Sequence, residues 1–424
     1  MDKRLSELID YTKETWGLAP YYLGRHQIYR KLTVDLQNIY ILNMEWFPST
    51  YANWTNEEEN PEGTASIDID FHSKEFLSAI FVEGKTYAEN GIVFPNKESI
   101  EVQQWLAYIT GYKLEEFALK RQESNYLYYE REVNGIPISP ISYLEVEWDE
   151  QGRLTSFTKE NVNDENAIII EETFSLSVLE LEELMREQVK LGVFPTEDDS
   201  RLVYGIGEVL VRNDKKSTIP FYFDYDLYRK NKVNQTIVWT DSKKDTFTRK
   251  SIPDNKEVTT EQANAKEPHP DTLPIGKEEI EHCLKEVTSF LQMKFPHDSG
   301  KWVVTYIYRD RFSLHVELEE KSERYLHNKL LLILDHQTKE VLNYMEKGDL
   351  WRNILKIDNW NAKEVKISKT EAFQELKKHV ALTPIFVYSP LEKKYVLCGN
   401  VHCSVYIDAE NGQVLDSEDA FMIY

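Results

Sequence analysis

The feature that most constrains the fold of this chain is a strand–turn–strand signal that recurs along it. In each copy a run of apolar residues ends in an aspartate, a short polar turn follows, and a second apolar run begins. The clearest copies end their first run at Asp70, Asp335 and Asp408, and weaker copies end at Asp149 and Asp241. Repeated hairpins of this kind predict antiparallel sheet.

The aspartates themselves have two interpretations. An Asp side chain at a strand end can accept hydrogen bonds from backbone N–H groups of the turn, which predicts a turn-forming role. The alternative is metal binding, since Asp68 and Asp70 share one face of a strand. Two carboxylates alone make a poor calcium site, so turn formation is the favoured interpretation.

A segment with helical periodicity precedes each hairpin. Two of these segments open with the spacing of a capping box, Ser177 with Glu180 and Ser368 with Glu371. The sequence therefore predicts an α+β protein in which a helix followed by several antiparallel strands occurs five times. The helices are expected over residues 2–16, 97–112, 177–190, 277–294 and 368–379.

The repeated pattern divides the chain into structural units. A stretch rich in proline and polar residues is predicted to be a linker between an N-terminal and a C-terminal part. A length of 424 residues is consistent with several units. The expected boundaries are 1–90, 91–165 and 166–250 for the first three units, 251–274 for the linker, and 275–350 and 351–424 for the last two.

Composition and charge narrow the classes of function. The 50 Lys and Arg residues against 73 Asp and Glu give a net charge of −23, which repels the phosphate backbone of nucleic acids. No window is long and apolar enough to predict a transmembrane helix, and the N-terminus does not read as a signal peptide. Three cysteines, an odd number, argue against a disulfide framework. We therefore predict a cytoplasmic protein with no nucleic-acid partner and no membrane insertion.

Two segments resemble a known family. The second unit carries Arg131 and then Asn134-Gly135-Ile136-Pro137, followed by a strand at 143–149 and Gly152. This pattern is similar to the signature of PepSY-like domains and of the propeptides of thermolysin-type proteases. The last unit, at 395–397 and 405–415, resembles the strand–aspartate–turn ending of the same superfamily. Several such units in one chain resemble the YcdB/YcdC repeat proteins of Bacillus-like bacteria.

The resemblance implies that each unit is a helix packed on a curled antiparallel sheet. It also implies a role in binding or inhibiting other proteins, often proteases. The candidate partner-contact residues are Arg131, Asn134, Gly135 and Pro137. These residues have a structural interpretation as well, because Asn-Gly favours a two-residue hairpin turn and Pro137 would start the next edge strand. Turn formation is the favoured interpretation of the Asn-Gly pair.

One cluster in the sequence could hold a metal ion. The residue types of Cys398, His402 and Cys403 suit zinc if the intervening Gly-Asn pair folds the chain back on itself. A fourth ligand would have to come from His282 or Cys283. The favoured interpretation is that small cysteines fill a sheet, so we predict no metal and no cofactor.

The sequence contains no motif that identifies an enzyme. The patterns of zinc proteases, P-loop proteins, dinucleotide-binding folds and α/β-hydrolases are all missing. We therefore expect a non-catalytic protein- or peptide-binding protein that presents sheet faces or edges, with strand addition as one mode. The alternative is an unrecognised hydrolase or metal-dependent enzyme with a site between units, because carboxylates are abundant. A purely structural or storage role is the third hypothesis.

Overall fold

The computed structural model of the chain has an α+β fold built mainly from strands, with a few helices. The chain forms two compact units. The first unit comprises Met1–Glu171, Asn255–His269 and Ile385–Val396. The second unit comprises Glu172–Asp254, Pro270–Pro384 and Leu397–Tyr424. The structure describes residues 2–416 except 34–35, 57–58, 161–167, 170–171, 196–199, 216, 220–228, 242, 244, 253–256, 322–327 and 347–363. The predicted boundary between the fourth and fifth units, at 350 and 351, lies outside the described residues.

The first unit contains the helices α1 (Lys3–Thr15), α2 (Ser99–Thr110) and α4 (Thr260–Asn264), numbered in chain order. It also includes parts of two later strands, β21 (Val380–Ser389) and β22 (Lys394–Cys403). Its other strands are β1 (Tyr21–Leu32), β2 (Asn38–Pro48), β3 (Ala65–Asp70), β4 (Phe76–Phe81), β5 (Phe117–Glu123), β6 (Tyr126–Val133), β7 (Ile136–Ser139), β8 (Tyr143–Trp148), β9 (Leu154–Glu160), β10 (Ile168–Ile169) and β16 (Glu257–Val258).

One antiparallel sheet organises the first unit, in the order β5–β6–β8–β9–β4–β3–β2–β1–β16. The strands after α1 pair with their neighbours along the chain from β1 to β4, and the strands after α2 form a second set. The two sets join through β4 and β9, where Ser78 lies opposite Thr158. Two helix-and-strand segments of the sequence therefore share a single sheet.

The helices of the first unit cover one face of this sheet. The side chain of Asp2 accepts a hydrogen bond from the Leu5 N–H and begins α1. Leu5 and Leu8 of α1, like Val102 and Leu106 of α2, recur at helical spacing and are buried. They belong to one apolar core together with alternate residues of the strands, including Leu42, Met44, Trp46, Ile67, Ile69, Leu144, Val146 and Phe157.

The described part of the stretch predicted to be a linker contains regular structure. Val258 of β16 pairs with Ile28 of β1, and α4 begins with a complete capping box. Ala263 of α4 is buried in the core of the first unit, and the Asn38 side chain donates to the Glu267 carbonyl at 2.7 Å. Residues 257–269 are therefore packed as a part of the first unit.

The second unit contains the helices α3 (Glu182–Gln188), α5 (Lys277–Lys294) and α6 (Lys369–Leu376). Its strands, besides the remaining parts of β21 and β22, are β11 (Val189–Pro195), β12 (Ser200–Ile206), β13 (Val209–Arg212), β14 (Thr218–Ile219), β15 (Asn231–Thr236), β17 (Trp302–Asp310), β18 (Ser313–Glu320), β19 (Lys329–Leu334), β20 (Val341–Glu346), β23 (Val405–Asp408) and β24 (Val414–Asp416).

Two large apolar cores lie in the described part of the second unit. In one, α5 packs on a sheet of order β15–β17–β18–β19–β20, where Val287 and Leu291 meet strand residues such as Val304 and Leu332. In the other, α3 and α6 pack on a sheet of order β11–β12–β23–β24. The capping box predicted at Ser368 and Glu371 is present at the start of α6, which confirms that helix.

The turn-forming role predicted for the aspartates is confirmed at the three clearest copies. Oδ1 of Asp70, Asp335 and Asp408 accepts from the N–H groups of the second and third residues further on, at 2.6–3.2 Å. The backbone closes the same loop each time, since each Asp N–H donates to the carbonyl five residues on. We call this arrangement the aspartate corner. Asp149 forms a shorter version of it with Gln151 and Arg153.

Two sequence predictions are wrong in detail. The weak copy ending at Asp241 is not a hairpin, because β15 ends at Thr236 and the described residues around Phe247 form no strand. The Asp241 carbonyl instead accepts from the Gln292 side chain at 2.7 Å. The helix expected over 177–190 is shorter: a 3-10 turn at Val178–Leu181 precedes α3, which gives way to β11 at Val189.

Candidate functional site

The face of the first sheet opposite the helices is open and polar. Strand register aligns one residue per strand across it, and side chains alternate between the two faces of a strand. The aligned row is Gln27, Asn43, Asp68, Ser78, Thr158, Glu145, Tyr128 and Arg121. We call this surface, from β1 to β5, the acidic face. Its flanking residues include Glu45, Ser66, Ile80, Ser156, Glu147, Tyr126, Glu160, Tyr143 and Glu130.

An ion pair shows that the acidic face is concave at one end. Lys31 of β1 and Glu160 of β9 lie with Nζ and Oε1 only 2.8 Å apart. Three strands separate β1 from β9, so a flat sheet would place these backbones about 19 Å apart. The two extended side chains together reach only roughly 10 Å at ordinary bond lengths. The sheet must therefore twist and curl towards its open face.

Carboxylates dominate the charge of the acidic face. Glu45 pairs with Arg25 at 3.4 Å, and Glu160 pairs with Lys31. In the described part of the chain no Lys or Arg lies within ion-pair distance of the other acids of this face, which are Asp68, Glu130, Glu145 and Glu147. Carboxylates therefore outnumber cations on this surface and give it a negative potential, although the charges of Lys120 and Arg121 act on Glu130 and Glu145.

Three tyrosines on the acidic face have pKa values raised by burial and then by nearby carboxylates. Burial, followed by the charge of Glu130 and a hydrogen bond to it, raises the pKa of Tyr128 to about 12. Burial and then the charges of Glu160 and Glu145 raise the pKa of Tyr143. Burial and the charge of Asp68 likewise raise the pKa of Tyr29, whose hydroxyl donates to that carboxylate at 2.9 Å. These tyrosines therefore stay neutral, with the hydroxyls of Tyr29 and Tyr128 bonded to Asp68 and Glu130.

The centre of the acidic face is shallow and partly apolar. Small side chains occupy the middle strands, among them Ser66, Ser78, Ser156 and Thr158. Ile80 of β4 stands among them with 47% of its surface exposed. Ile80 therefore places one exposed apolar side chain among hydroxyl groups and carboxylates at the middle of this face.

The structure confirms the Asn-Gly turn but not an edge strand after it. Asn134 and Gly135 have φ values of 52° and 75°, and Val133 pairs with Ile136 across the two-residue turn. β7 has neighbours on both sides, because Ile138 also pairs in parallel with Phe386 of β21. The prediction of an edge strand is therefore wrong. Pro137 precedes the first residue of that parallel pairing, where its missing N–H is tolerated.

Arg131 has a local partner in the structure. Its Nε and Nη2 both donate to Oε2 of Glu116, at 3.1 and 2.8 Å. Its backbone N–H donates to the Ser142 carbonyl. Glu116 and Ser142 therefore fix Arg131 locally, and the contact role predicted for it and for Asn134 stays a prediction.

The cysteines suggested as metal ligands do not come together. β22 runs unbroken through Gly399 and Asn400, so the turn that would fold the chain back is not formed. Cys398 and Cys403 are an odd number of positions apart on this strand and face opposite sides. Burial raises the pKa of the Cys398 thiol to about 12, and that of Cys283 to about 11. The strand geometry alone therefore keeps Cys398 and Cys403 from forming one metal site.

Ser156 and Lys159 have the Ser-x-x-Lys spacing of a serine nucleophile with a lysine base. Ser156 and Lys159 lie three positions apart on β9 and therefore face opposite sides. Lys159 points to the helix side, where it contacts Glu75 at 2.6 Å and the Tyr112 hydroxyl at 3.1 Å.

Within the described ranges no group of three or more His, Cys, Asp or Glu residues could hold a metal ion. No helix among them is long and apolar enough to cross a membrane.

Sequence reasoning missed the carboxylates and Ile80 of the acidic face. A signal was available, because Glu145 and Glu147 alternate with apolar residues along β8, as Tyr126 and Tyr128 do along β6. Alternation assigns these residues to one face. It does not reveal that β4 and β9 pair, which brings both sets of strands into the same surface.

Comparisons with known proteins give little further information. No family model matches the chain, and no curated protein matches it. Among solved structures the chain is similar to the Bacillus megaterium YpeB C-terminal domain, with 8% sequence identity, coverage of 82% of this chain and 97% of that chain, and a TM-score of 0.26. A likeness of that size establishes neither a shared fold nor a shared function.

Proposed function

We propose that this chain is a non-catalytic protein- or peptide-binding protein, and that the acidic face of its first unit is the binding surface. The observation that carries the proposal is the concave, open sheet face with the exposed Ile80 near its centre. Large sheet faces of globular proteins are normally covered on the apolar side only. Tyrosine is enriched at protein interfaces, so the tyrosines of this face support a binding role.

We also propose that the chain consists of diverged PepSY-like units. Three segments support this interpretation, because a helix is followed by antiparallel strands in β1–β4 after α1, in β5–β9 after α2, and in β17–β20 after α5. In each, an aspartate corner joins the last two strands, at Asp70, Asp149 and Asp335. Modulation of a protease is one form that binding by such units would take.

The cytoplasm is the proposed location. All three cysteines are free thiols, and free buried thiols persist in a reducing compartment. Cell fractionation with an antibody against the chain tests this. Recovery of the chain in the external or envelope fraction would contradict the proposed location without affecting the proposed binding surface.

A site-specific photo-cross-linker tests the binding surface. p-Benzoylphenylalanine would replace Tyr128 on the acidic face in one variant and Tyr108 of α2 in a control variant, since Tyr108 is 83% exposed and lies away from that face. Irradiation of cells that produce each variant is expected to give a discrete cross-linked partner from position 128 only. The same products from both positions, or none from position 128, would contradict the proposal.

A further inference from the structure

We propose that the acidic face binds an extended segment rich in Lys and Arg that carries an apolar residue near its centre. The inference rests on the proposed function and names the chemistry of the partner.

Charge on the acidic face selects a cationic partner. Asp68, Glu130, Glu145 and Glu147 have no Lys or Arg within ion-pair distance among the residues that the structure describes. Strand register places Asp68 and Glu145 in one row, separated by Ser78 and Thr158. Arg121 at the end of the row acts on Glu145 without forming an ion pair. Basic side chains that cross the row would add countercharge, whereas an acidic or phosphorylated segment would be repelled.

Aromatic rings add a second preference for cations. Tyr128 and Tyr143 lie with ring centroids 5.3 Å apart, beside Tyr126 on the same face. The Arg121 guanidinium already lies 5.1 Å from the Tyr126 ring centroid, so the protein itself shows the cation–π geometry that this surface offers. A guanidinium or ammonium over such a ring gains stabilisation that a neutral side chain does not.

The shape of the surface indicates how the segment would lie. Small hydroxyl side chains, Ser78 and Thr158, occupy the middle of the row and leave room for a backbone to cross the strands. Ile80 is exposed beside them and would contact an apolar side chain of the segment. The Lys31–Glu160 ion pair bounds the surface at one end. An apolar centre with charges around it therefore matches a segment of basic residues flanking an apolar one.

Peptide binding to the full-length protein tests the inference. The probes are three fluorescein-labelled peptides of equal length with a central leucine, flanked by lysines in the first, by serines in the second and by glutamates in the third. Fluorescence anisotropy measures each affinity as NaCl is raised. We expect the lysine peptide to bind most tightly, and its affinity to fall with salt because the contacts are ionic.

Two triple variants separate the acidic face from the overall negative charge. The face variant carries Glu130→Gln, Glu145→Gln and Glu147→Gln. The control carries Glu278→Gln, Glu281→Gln and Glu286→Gln on α5, which removes the same formal charge from a helix surface of the second unit. The face variant should bind the lysine peptide about tenfold more weakly, and the control variant should bind like the wild type.

Each other outcome has a defined meaning. Equal weakening in both triple variants would overturn the inference, because attraction would then follow net charge alone. Serine-peptide binding as tight as lysine-peptide binding, and sensitive to Ile80→Ser, would also overturn it while leaving the proposed binding surface in place. Absence of face-dependent binding by any peptide, together with a failed cross-link from position 128, would remove the proposed function as well.

Discussion

The two faces of the first sheet are formed by the same strands but differ in burial and composition. On the helix side, Ile67 and Val146 are fully buried, whereas their chain neighbours Ser66 and Glu145 lie on the acidic face. The covered face stabilises the unit by burying apolar area. The open face contributes little to such burial, which leaves its residues available for binding. Alternation along each strand thus directs one residue to the apolar core and the next to the proposed binding surface.

The largest expected effect comes from placing a charge on each face in turn and comparing the free energies of unfolding. Ile67→Asp would bury an unpaired carboxylate among apolar side chains and should lower the free energy of unfolding by about 4 kcal/mol or more. Ser66→Asp at the adjacent position should lower it by about 1 kcal/mol or less, because the new carboxylate lies opposite Glu45 but stays in contact with water. Urea denaturation measures both. Similar losses for the two variants would show that the open face is covered in the folded protein.

Much of this arrangement could be predicted from sequence. Helical periodicity located α1, α2 and α5 to within a few residues, and the capping signal at Ser368 located α6. The aspartate corners were predictable because their hydrogen bonds are local. Pairing of β4 with β9 was not, since no local signal specifies which distant strands become neighbours. The curl that brings Lys31 to Glu160 depends on that pairing, so the concave face could not be inferred either.

Lys159 is a buried charged residue on the covered face, and it offers the next test. Its side chain is 1% exposed, against 50% for its partner Glu75. Glu75→Gln would leave a buried ammonium without its carboxylate and should cost about 2 kcal/mol, because the exposure of Glu75 reduces the effect. Lys159→Met removes the charge and should cost about 1 kcal/mol or less. Thermal unfolding that ranks the two variants in reverse order would contradict this account of Lys159.

Two aspartates of β3 give a smaller contrast. The Asp70 carboxylate accepts from the N–H groups of His72 and Ser73, so Asp70→Ala leaves turn donors unsatisfied and should cost about 2 kcal/mol. Asp68 bonds only the side chains of Tyr29 and Asn43 in the described part of the chain. Its replacement by alanine should cost about 1 kcal/mol or less. Denaturation midpoints test the pair, and a larger loss for Asp68→Ala would mean that the open face is structural.

The smallest expected effect concerns adjacent tyrosines on opposite faces. The pKa of Tyr129 on the covered face is raised by burial, whereas the raised pKa of Tyr128 has burial and then Glu130 as its causes. Glu130→Gln should therefore lower the pKa of Tyr128 and leave that of Tyr129 unchanged. NMR of protein with ring-labelled tyrosine, titrated at alkaline pH, measures both. An unchanged Tyr128 pKa would show that burial alone controls it.

The raised pKa of Tyr128 predicts how the stability of the protein changes at high pH. A tyrosine whose pKa is higher in the folded state than in the unfolded state holds its proton more tightly when folded. The stability of the fold therefore decreases as the pH rises from the unfolded pKa near 10 towards the folded value of about 12. Glu130→Gln narrows that interval for Tyr128, so the variant should lose less stability than the wild type over this range. Equal alkaline slopes would mean that the potential of the acidic face does not reach Tyr128, which would weaken the argument that this surface attracts cations.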